Sequence, residues 1–282
     1  HQLPVSVLTF QPEPEIYFNN TPVFRRRLLT IPDKLRIISS LGMDNVYNIE
    51  FTENIAEMEA AQFIRKVLLD SLNCRAIFVG DDFRFGRGRA GDASVLKKFE
   101  ETGLDVNVFS SLKIKDIPVG SSLIREKIVT GELDDAREML GRPYTICESF
   151  QHGSGRGRKL GFPTLNFSFK RTIRPRFGVY LVWLGRSQRI PSVASFGVHP
   201  TVDQLSEPVL EVHTLEESPV LNPAQKMHIY FEKFCRPEEK FSSLDELKKR
   251  IGRDVQQARR SFAKLEKPAP VYSDEDNFIE EV

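Results

Sequence analysis

Cysteine is scarce in this 282-residue chain: Cys74, Cys147 and Cys235 are the whole set, far apart and without ligand spacing. An odd, sparse set offers neither a disulfide framework nor a zinc motif, so reduced intracellular thiols are expected. An excess of charge is also lacking. Forty Lys and Arg stand against thirty-nine Asp and Glu, a net charge of +1, which leaves no general attraction for nucleic acid or an anionic membrane. Any polyanion must be held by a local patch, which suits a nucleotide better than DNA. No apolar run approaches the length of a membrane span and no signal peptide is visible, so no membrane partner is expected and the cytoplasm is the default. Internal repeats are absent, and no Gly-Lys-Ser/Thr follows a glycine loop at P-loop spacing.

What is present is concentrated in one window, His152-Gly153-Ser154-Gly155-Arg156-Gly157-Arg158-Lys159-Leu160-Gly161-Phe162-Pro163-Thr164-Leu165-Asn166. Glycines let a backbone close around phosphate oxygens and aim several N–H groups at one anion. Arg156, Arg158 and Lys159 add positive charge beside them, and Thr164 and Asn166 supply the hard oxygens that Mg²⁺ prefers. The window points to phosphoryl transfer. Glycine and arginine alone equally describe a flexible turn, and Gly-Phe-Pro is an ordinary turn entry. It is the Pro-Thr-x-Asn ending that favours the nucleotide reading.

A length of 282 residues suits two domains. In the first half, short apolar runs (Val5–Phe10, Asn45–Phe51, Ala76–Val79, Val106–Phe109) alternate with helical patterns over Pro32–Leu41, Glu57–Leu72 and Ser94–Thr102. Such alternation predicts a parallel sheet with helices on both faces, and ligands bind beyond the carboxyl ends of its strands. Gly80–Asp92, rich in Gly, Arg and Phe, follows the third strand at such a place. Its rings and cations could stack a planar group and hold phosphates; a surface loop with Phe83 and Phe85 tucked into the core is the plainer alternative. Ser121-Ser122-Leu123-Ile124-Arg125 opens a helix, as an anion site or as ordinary capping. After Gly141-Arg142-Pro143 the pattern changes. Tyr180–Leu184, Ser192–Phe196, Val209–His213 and Met227–Phe231 are short β-rich runs that predict a small antiparallel barrel. An amphipathic helix over Ser242–Lys264 closes it, and residues 267–282 are expected to be a disordered acidic tail.

These features together resemble the prokaryotic bifunctional riboflavin kinase/FAD synthetase family. The resemblance rests on Val7-Leu8-Thr9-Phe10, Gly80–Asp92, Ser121–Arg125, Leu140–Tyr144, His152–Asn166, Phe177–Tyr180, Glu211-Val212-His213, Glu239-Lys240-Phe241, Asp254 and Arg259, in the family's order along nearly the whole chain. It implies an α/β nucleotidyltransferase domain with a Rossmann-like parallel sheet over 1–142. A small antiparallel β-barrel riboflavin kinase domain with a C-terminal helix would follow over 143–266. The substrates and products implied are riboflavin, FMN, FAD and ATP, with Mg²⁺ accompanying ATP. In the barrel, Gly153, Gly155, Arg156, Gly157, Lys159, Thr164 and Asn166 would bind ATP, with Thr164 and Asn166 holding the metal. Glu211 would be the catalytic base on the riboflavin 5′-hydroxyl. In the first domain, Asp82, Phe83 and Phe85 would lie near the flavin, and Ser121, Ser122 and Arg125 near the ATP phosphates.

The sequence departs from the family at its start. The family's Gly-x-Phe-Asp-Gly-x-His-x-Gly-His motif has no counterpart, since His1-Gln2 stand almost directly before Val7–Phe10, so the first domain is expected to be incomplete at its N-terminal side. Gln11-Pro12-Glu13-Pro14, His199 before Pro200-Thr201, and Leu221-Asn222-Pro223 are smaller departures. None touches Thr164, Asn166 or Glu211. His199, His213 and His228 read as barrel residues whose spacing suggests no metal cluster. Two narrower functions stand beside the bifunctional one: a riboflavin kinase with a disabled synthetase domain, and a flavin- or nucleotide-binding module without turnover.

Overall fold

The computed structural model describes residues 3–20, 22–151, 155–185, 188–198, 207–216 and 226–268. The first elements are β1 (Ser6–Gln11), α1 (Pro14–Asn19), α2 (Ile31–Ser40), β2 (Asn45–Glu50), α3 (Glu53–Ala56) and α4 (Ala60–Phe63). A π-helical stretch, Ile64–Ser71, continues α4 and leads to β3 (Ala76–Gly80), α5 (Ala93–Lys97) and β4 (Asp105–Phe109). The hairpin β5 (Lys113–Ile114) and β6 (Ile117–Pro118) precedes α6 (Ser121–Thr130) and α7 (Leu133–Leu140). Then come β7 (Tyr144–Gln151), α8 (Arg156–Leu160), β8 (Leu165–Ser168), β9 (Gly178–Leu184), β10 (Ile190–Gly197), β11 (Val209–Thr214), β12 (Lys226–Arg236) and α9 (Leu244–Phe262). These elements gather into two compact units, one from 6–20 and 46–119, the other from the described parts of 1–5, 21–45 and 120–282.

In the smaller unit β3 and β4 pair in parallel, with Ala76 opposite Asp105 and Gly80 opposite Phe109, while β1 and β2 form a second two-stranded sheet. Phe63, Ile64, Val67, Leu68, Val79, Leu96, Phe99, Leu104 and Val106 make its core. The helix expected over Glu57–Leu72 is broken at its start. Glu59 is extended (φ −59°, ψ 146°), and the Arg87 N–H donates to the Met58 carbonyl at 2.8 Å. The Arg87 guanidinium pairs with both Glu57 and Glu59. The 80–92 loop thus takes up backbone that a continuous helix would have used, an effect the 3.6-residue period does not register.

The larger unit is built on a closed six-stranded barrel in the order β10-β11-β8-β7-β12-β9, every neighbouring pair antiparallel. Alternation along each strand sends one set of side chains inward. Phe196, Leu210, Phe167 and Phe150 are cross-strand neighbours in one such row, all of them buried. Outward-facing Leu181 and Trp183 pack under α9 through Ala258 and Phe262, and the Trp183 and Phe262 rings meet edge-on at 4.7 Å. Ser243 caps α9 by accepting from the Glu246 N–H at 3.2 Å. An ion network then ties α9 to the end of β12. Arg236 donates to Asp254 from Nε at 3.2 Å and from Nη2 at 2.6 Å, and Arg250 reaches Glu239 at 3.1 Å and Asp254 at 3.7 Å.

At Gly178, the first residue of β9, φ is +151°, and a Cβ would lie 2.2 Å from the Arg236 carbonyl oxygen. Both the backbone conformation and the close approach demand glycine. Gly178→Ala is therefore expected to destabilise the barrel by on the order of 3 kcal/mol, read as a lowered midpoint in denaturant unfolding.

Candidate active sites

The barrel places Glu211 and Asn166 directly opposite each other on β11 and β8. Ser195 lies opposite Glu211 on β10, and Gln151 opposite Asn166 on β7. Ser195, Glu211, Asn166 and Gln151 thus form one polar row across four strands. It alternates with the inward aromatic row, so it faces the outside of the barrel. Thr164 stands two residues before Asn166, just ahead of β8.

The loop over this face explains much of the glycine pattern. Gly155 caps α8 with φ +74°, and Gly161 ends it with φ +88°, both in the left-handed region that glycine enters most easily. Gly157 is needed for a different reason: a Cβ there would lie 2.4 Å from the Phe162 carbonyl oxygen and 3.2 Å from Thr164 Oγ1. The Phe162 N–H closes the turn by donating to the Gly157 carbonyl at 2.8 Å. His213, which follows Glu211 by two positions on β11, holds the loop from below. Its ring meets Phe162 edge-on at 5.6 Å, and its Nδ1 lies 2.8 Å from the Pro163 carbonyl oxygen. Gly157 and Thr164 are thus neighbours, and His213 ties their loop to the strand that carries Glu211; Gly155 caps α8, and Arg156 and Lys159 lie within it. Gly153 lies outside the described residues, as do His199 and 269–282.

Asn166 Oδ1 is buried and has no hydrogen-bond partner among the described residues. An oxygen withdrawn from water without a partner costs free energy, and a ligand is one way to satisfy it. Ser195, Gln151 and His213 were not legible as members of this site. Their placement follows from strand register across β7, β8, β10 and β11, which pairing between distant segments sets.

The residues expected at the second site are divided between the units. Phe83 and Phe85 stack on each other at 5.3 Å and 18°, and Phe85 also meets Phe63 at 5.8 Å. Both are partly buried against the core of the smaller unit, while Asp82 is exposed. Ser121 and Ser122 belong to the larger unit, exposed in the first turn of α6. Gly120 is the N-cap, without a side-chain cap, so neither serine is used up in capping. Arg125 Nε donates to the Arg26 carbonyl at 2.5 Å.

Comparison with known proteins agrees with both halves. A family model described as riboflavin kinase matches residues 140–262, and one described as FAD synthetase matches residues 1–123. The chain is 37% identical over 270 residues to the bifunctional riboflavin kinase/FMN adenylyltransferase of Escherichia coli strain K12, covering 95% of this chain and 85% of that protein. The chain belongs to this family. The protein of the same name from Listeria monocytogenes is 30% identical over 266 residues, which cover 94% of this chain and 84% of that one. Among solved structures, one described as a macrolide-efflux protein from Streptococcus pneumoniae superposes with a TM-score of 0.80 at 27% identity, covering 91% of this chain and 84% of that chain. Among the described residues of this family member, no helix is long and apolar enough to cross a membrane. The α/β domain followed by a closed antiparallel barrel and a C-terminal helix is the fold that the family resemblance implied.

Proposed function

We propose that this chain phosphorylates riboflavin to FMN at the barrel and adenylylates FMN to FAD through its other domain, with 1–142 as the adenylyltransferase domain and 143–266 as the kinase. The observation that carries the kinase half is the pairing of Glu211 with Asn166 beneath the glycine loop. In this reading the Glu211 carboxylate takes the proton of the riboflavin 5′-hydroxyl as its oxygen bonds to the γ-phosphorus. The bond from that phosphorus to the bridging oxygen breaks, and ADP leaves. Little covalent chemistry falls to the protein, so positioning and charge neutralisation carry the rate. Gly155 and Gly157 would leave backbone N–H groups close to the nucleotide, Arg156 and Lys159 would supply cations, and Gly153 is assigned to ATP with them.

The Asn166 oxygen, without a partner among the described residues, and the Thr164 hydroxyl two residues before it fit a hard divalent cation, and these two residues would hold Mg²⁺. Bound with ATP, Mg²⁺ neutralises charge building on the phosphate oxygens. Asn166→Ala is expected to raise the Mg²⁺ concentration for half-maximal FMN formation by about tenfold or more. An unchanged Mg²⁺ dependence would remove Asn166 from the metal set.

For adenylylation, the FMN phosphate attacks the α-phosphorus of ATP and pyrophosphate leaves, so no side-chain nucleophile is required. Asp82, Phe83 and Phe85 are assigned to the flavin, and Ser121, Ser122 and Arg125 to the ATP phosphates. Chromatographic separation of flavins after incubation with riboflavin, ATP and Mg²⁺ tests both halves. FMN followed by FAD is the expected result. FMN without FAD, even when FMN is supplied, would sink the adenylylation half, and absence of both products would sink the whole.

A further inference from the structure

The outer face of the barrel carries a second polar cluster away from the Glu211 row. Cys147 on β7 and His228 on β12 are directly opposed across the ladder, a geometry that brings side chains on one face within about 5 Å at Cβ. Each is next to an inward-facing residue, Ile146 or Ile229, so both point outward. Helix α2 of the same unit covers them and adds Asp33. One ligand atom from each of Asp33, Cys147 and His228 lies within 4.8 Å of the other two. The three residues are 3%, 6% and 3% exposed.

We infer that Asp33, Cys147 and His228 form a binding site for a transition-metal dication of the zinc class, which would pin α2 to the barrel wall. The donor set is one oxygen, one sulfur and one nitrogen, a combination that Zn²⁺ and Co²⁺ accept and that Mg²⁺ does not favour. Three protein ligands leave the fourth tetrahedral position to a water. The outer partners that metal-bound carboxylates ordinarily have are also in place. The Thr30 hydroxyl donates to Asp33 Oδ2 at 2.6 Å, and the buried Arg36 guanidinium stands 3.5 Å from Oδ1. The ring of Tyr230 meets His228 edge-on at 6.0 Å, closing one side. Burial and the nearby Asp33 carboxylate push the Cys147 thiol up to about 12, so metal binding releases its proton. Cys147 is four residues before Gln151 on β7, about 13 Å along the strand. The metal is therefore separate from the proposed Mg²⁺ site.

Expressing the intact chain in cobalt-supplemented medium supplies the metal while the protein folds. We expect about one equivalent of cobalt per chain and a thiolate-to-cobalt charge-transfer absorption that survives excess Mg²⁺. The Cys74→Ser/Cys235→Ser chain, whose sole cysteine is Cys147, is expected to keep that absorption. Cys147→Ser is expected to lose it, and His228→Ala to hold cobalt at least about 100-fold more weakly. Should Cys147→Ser fail to fold, the Cys74→Ser/Cys235→Ser chain decides alone. No thiolate absorption in the parent chain, or its loss in the Cys74→Ser/Cys235→Ser chain, overturns the site. Kinase and adenylyltransferase assays on the same samples read the proposed activities independently of this outcome.

Discussion

Glu211→Gln is expected to lower FMN formation from riboflavin by about 10²–10⁴-fold, the usual contribution of a positioned general base. Glutamine keeps the size and hydrogen-bonding reach of glutamate but cannot accept the hydroxyl proton. The barrel is expected to tolerate the change, because Glu211 is on the outer polar row and the inward positions beside it, Leu210 and Val212, are untouched. The loss is expected in kcat, with KM for riboflavin and ATP nearly unchanged, since proton transfer belongs to the transition state. FAD formation from added FMN is expected to proceed as in the parent, because it uses the other site. Unchanged FMN output from Glu211→Gln would remove Glu211 from the chemistry and favour a module that only binds.

The second large effect concerns stability. Asp254→Ala is expected to cost about 3 kcal/mol, the lower end for breaking one partner out of a buried ion pair. Arg236 and Asp254 side chains are 12% and 10% exposed, so water replaces the lost carboxylate poorly. Arg236 and Arg250 would then share the Glu239 carboxylate, at 3.7 and 3.1 Å. A cost of that size corresponds to a melting midpoint about 6–12 °C lower for a unit of this length. Gly252 of α9 faces Phe162, whose ring a Cβ there would meet at 4.0 Å, so a loosened helix is also expected to loosen the glycine loop and weaken ATP binding. An unshifted midpoint would mean that the network contributes nothing net, as exposed ion pairs often do.

Local rules carried much of the architecture. The four predicted strands of the first half appear within a residue or two at Ser6–Gln11, Asn45–Glu50, Ala76–Gly80 and Asp105–Phe109. Thr30 and Gly42 bound α2 as a cap and a left-handed stop. Where a distant segment competes, local rules failed. The Glu57–Leu72 pattern is helical only from Ala60, because Arg87 and Gly86 occupy the space and the carbonyl that its first turn needed. Likewise β7 does not stand out in the sequence, since Thr145 and Cys147 face outward yet are buried. One solvent-free outer face removes the polar alternation by which a strand is recognised.

The same division holds for the sites. By itself the sequence determined that a glycine loop precedes Thr164 and Asn166, that the barrel and α9 follow, and which family's order of motifs they obey. These are properties of neighbours along the chain, where conformational preference and spacing act directly. Only the tertiary structure decided that Asn166 sits across a ladder from Glu211, that His213 holds the loop, and that Phe83 and Phe85 rest against a core. It alone brought Asp33, Cys147 and His228 together from segments more than eighty residues apart even at the narrower step. Cross-strand register and helix docking set those distances, and both arise from burying apolar surface over the whole unit, which no window of sequence contains.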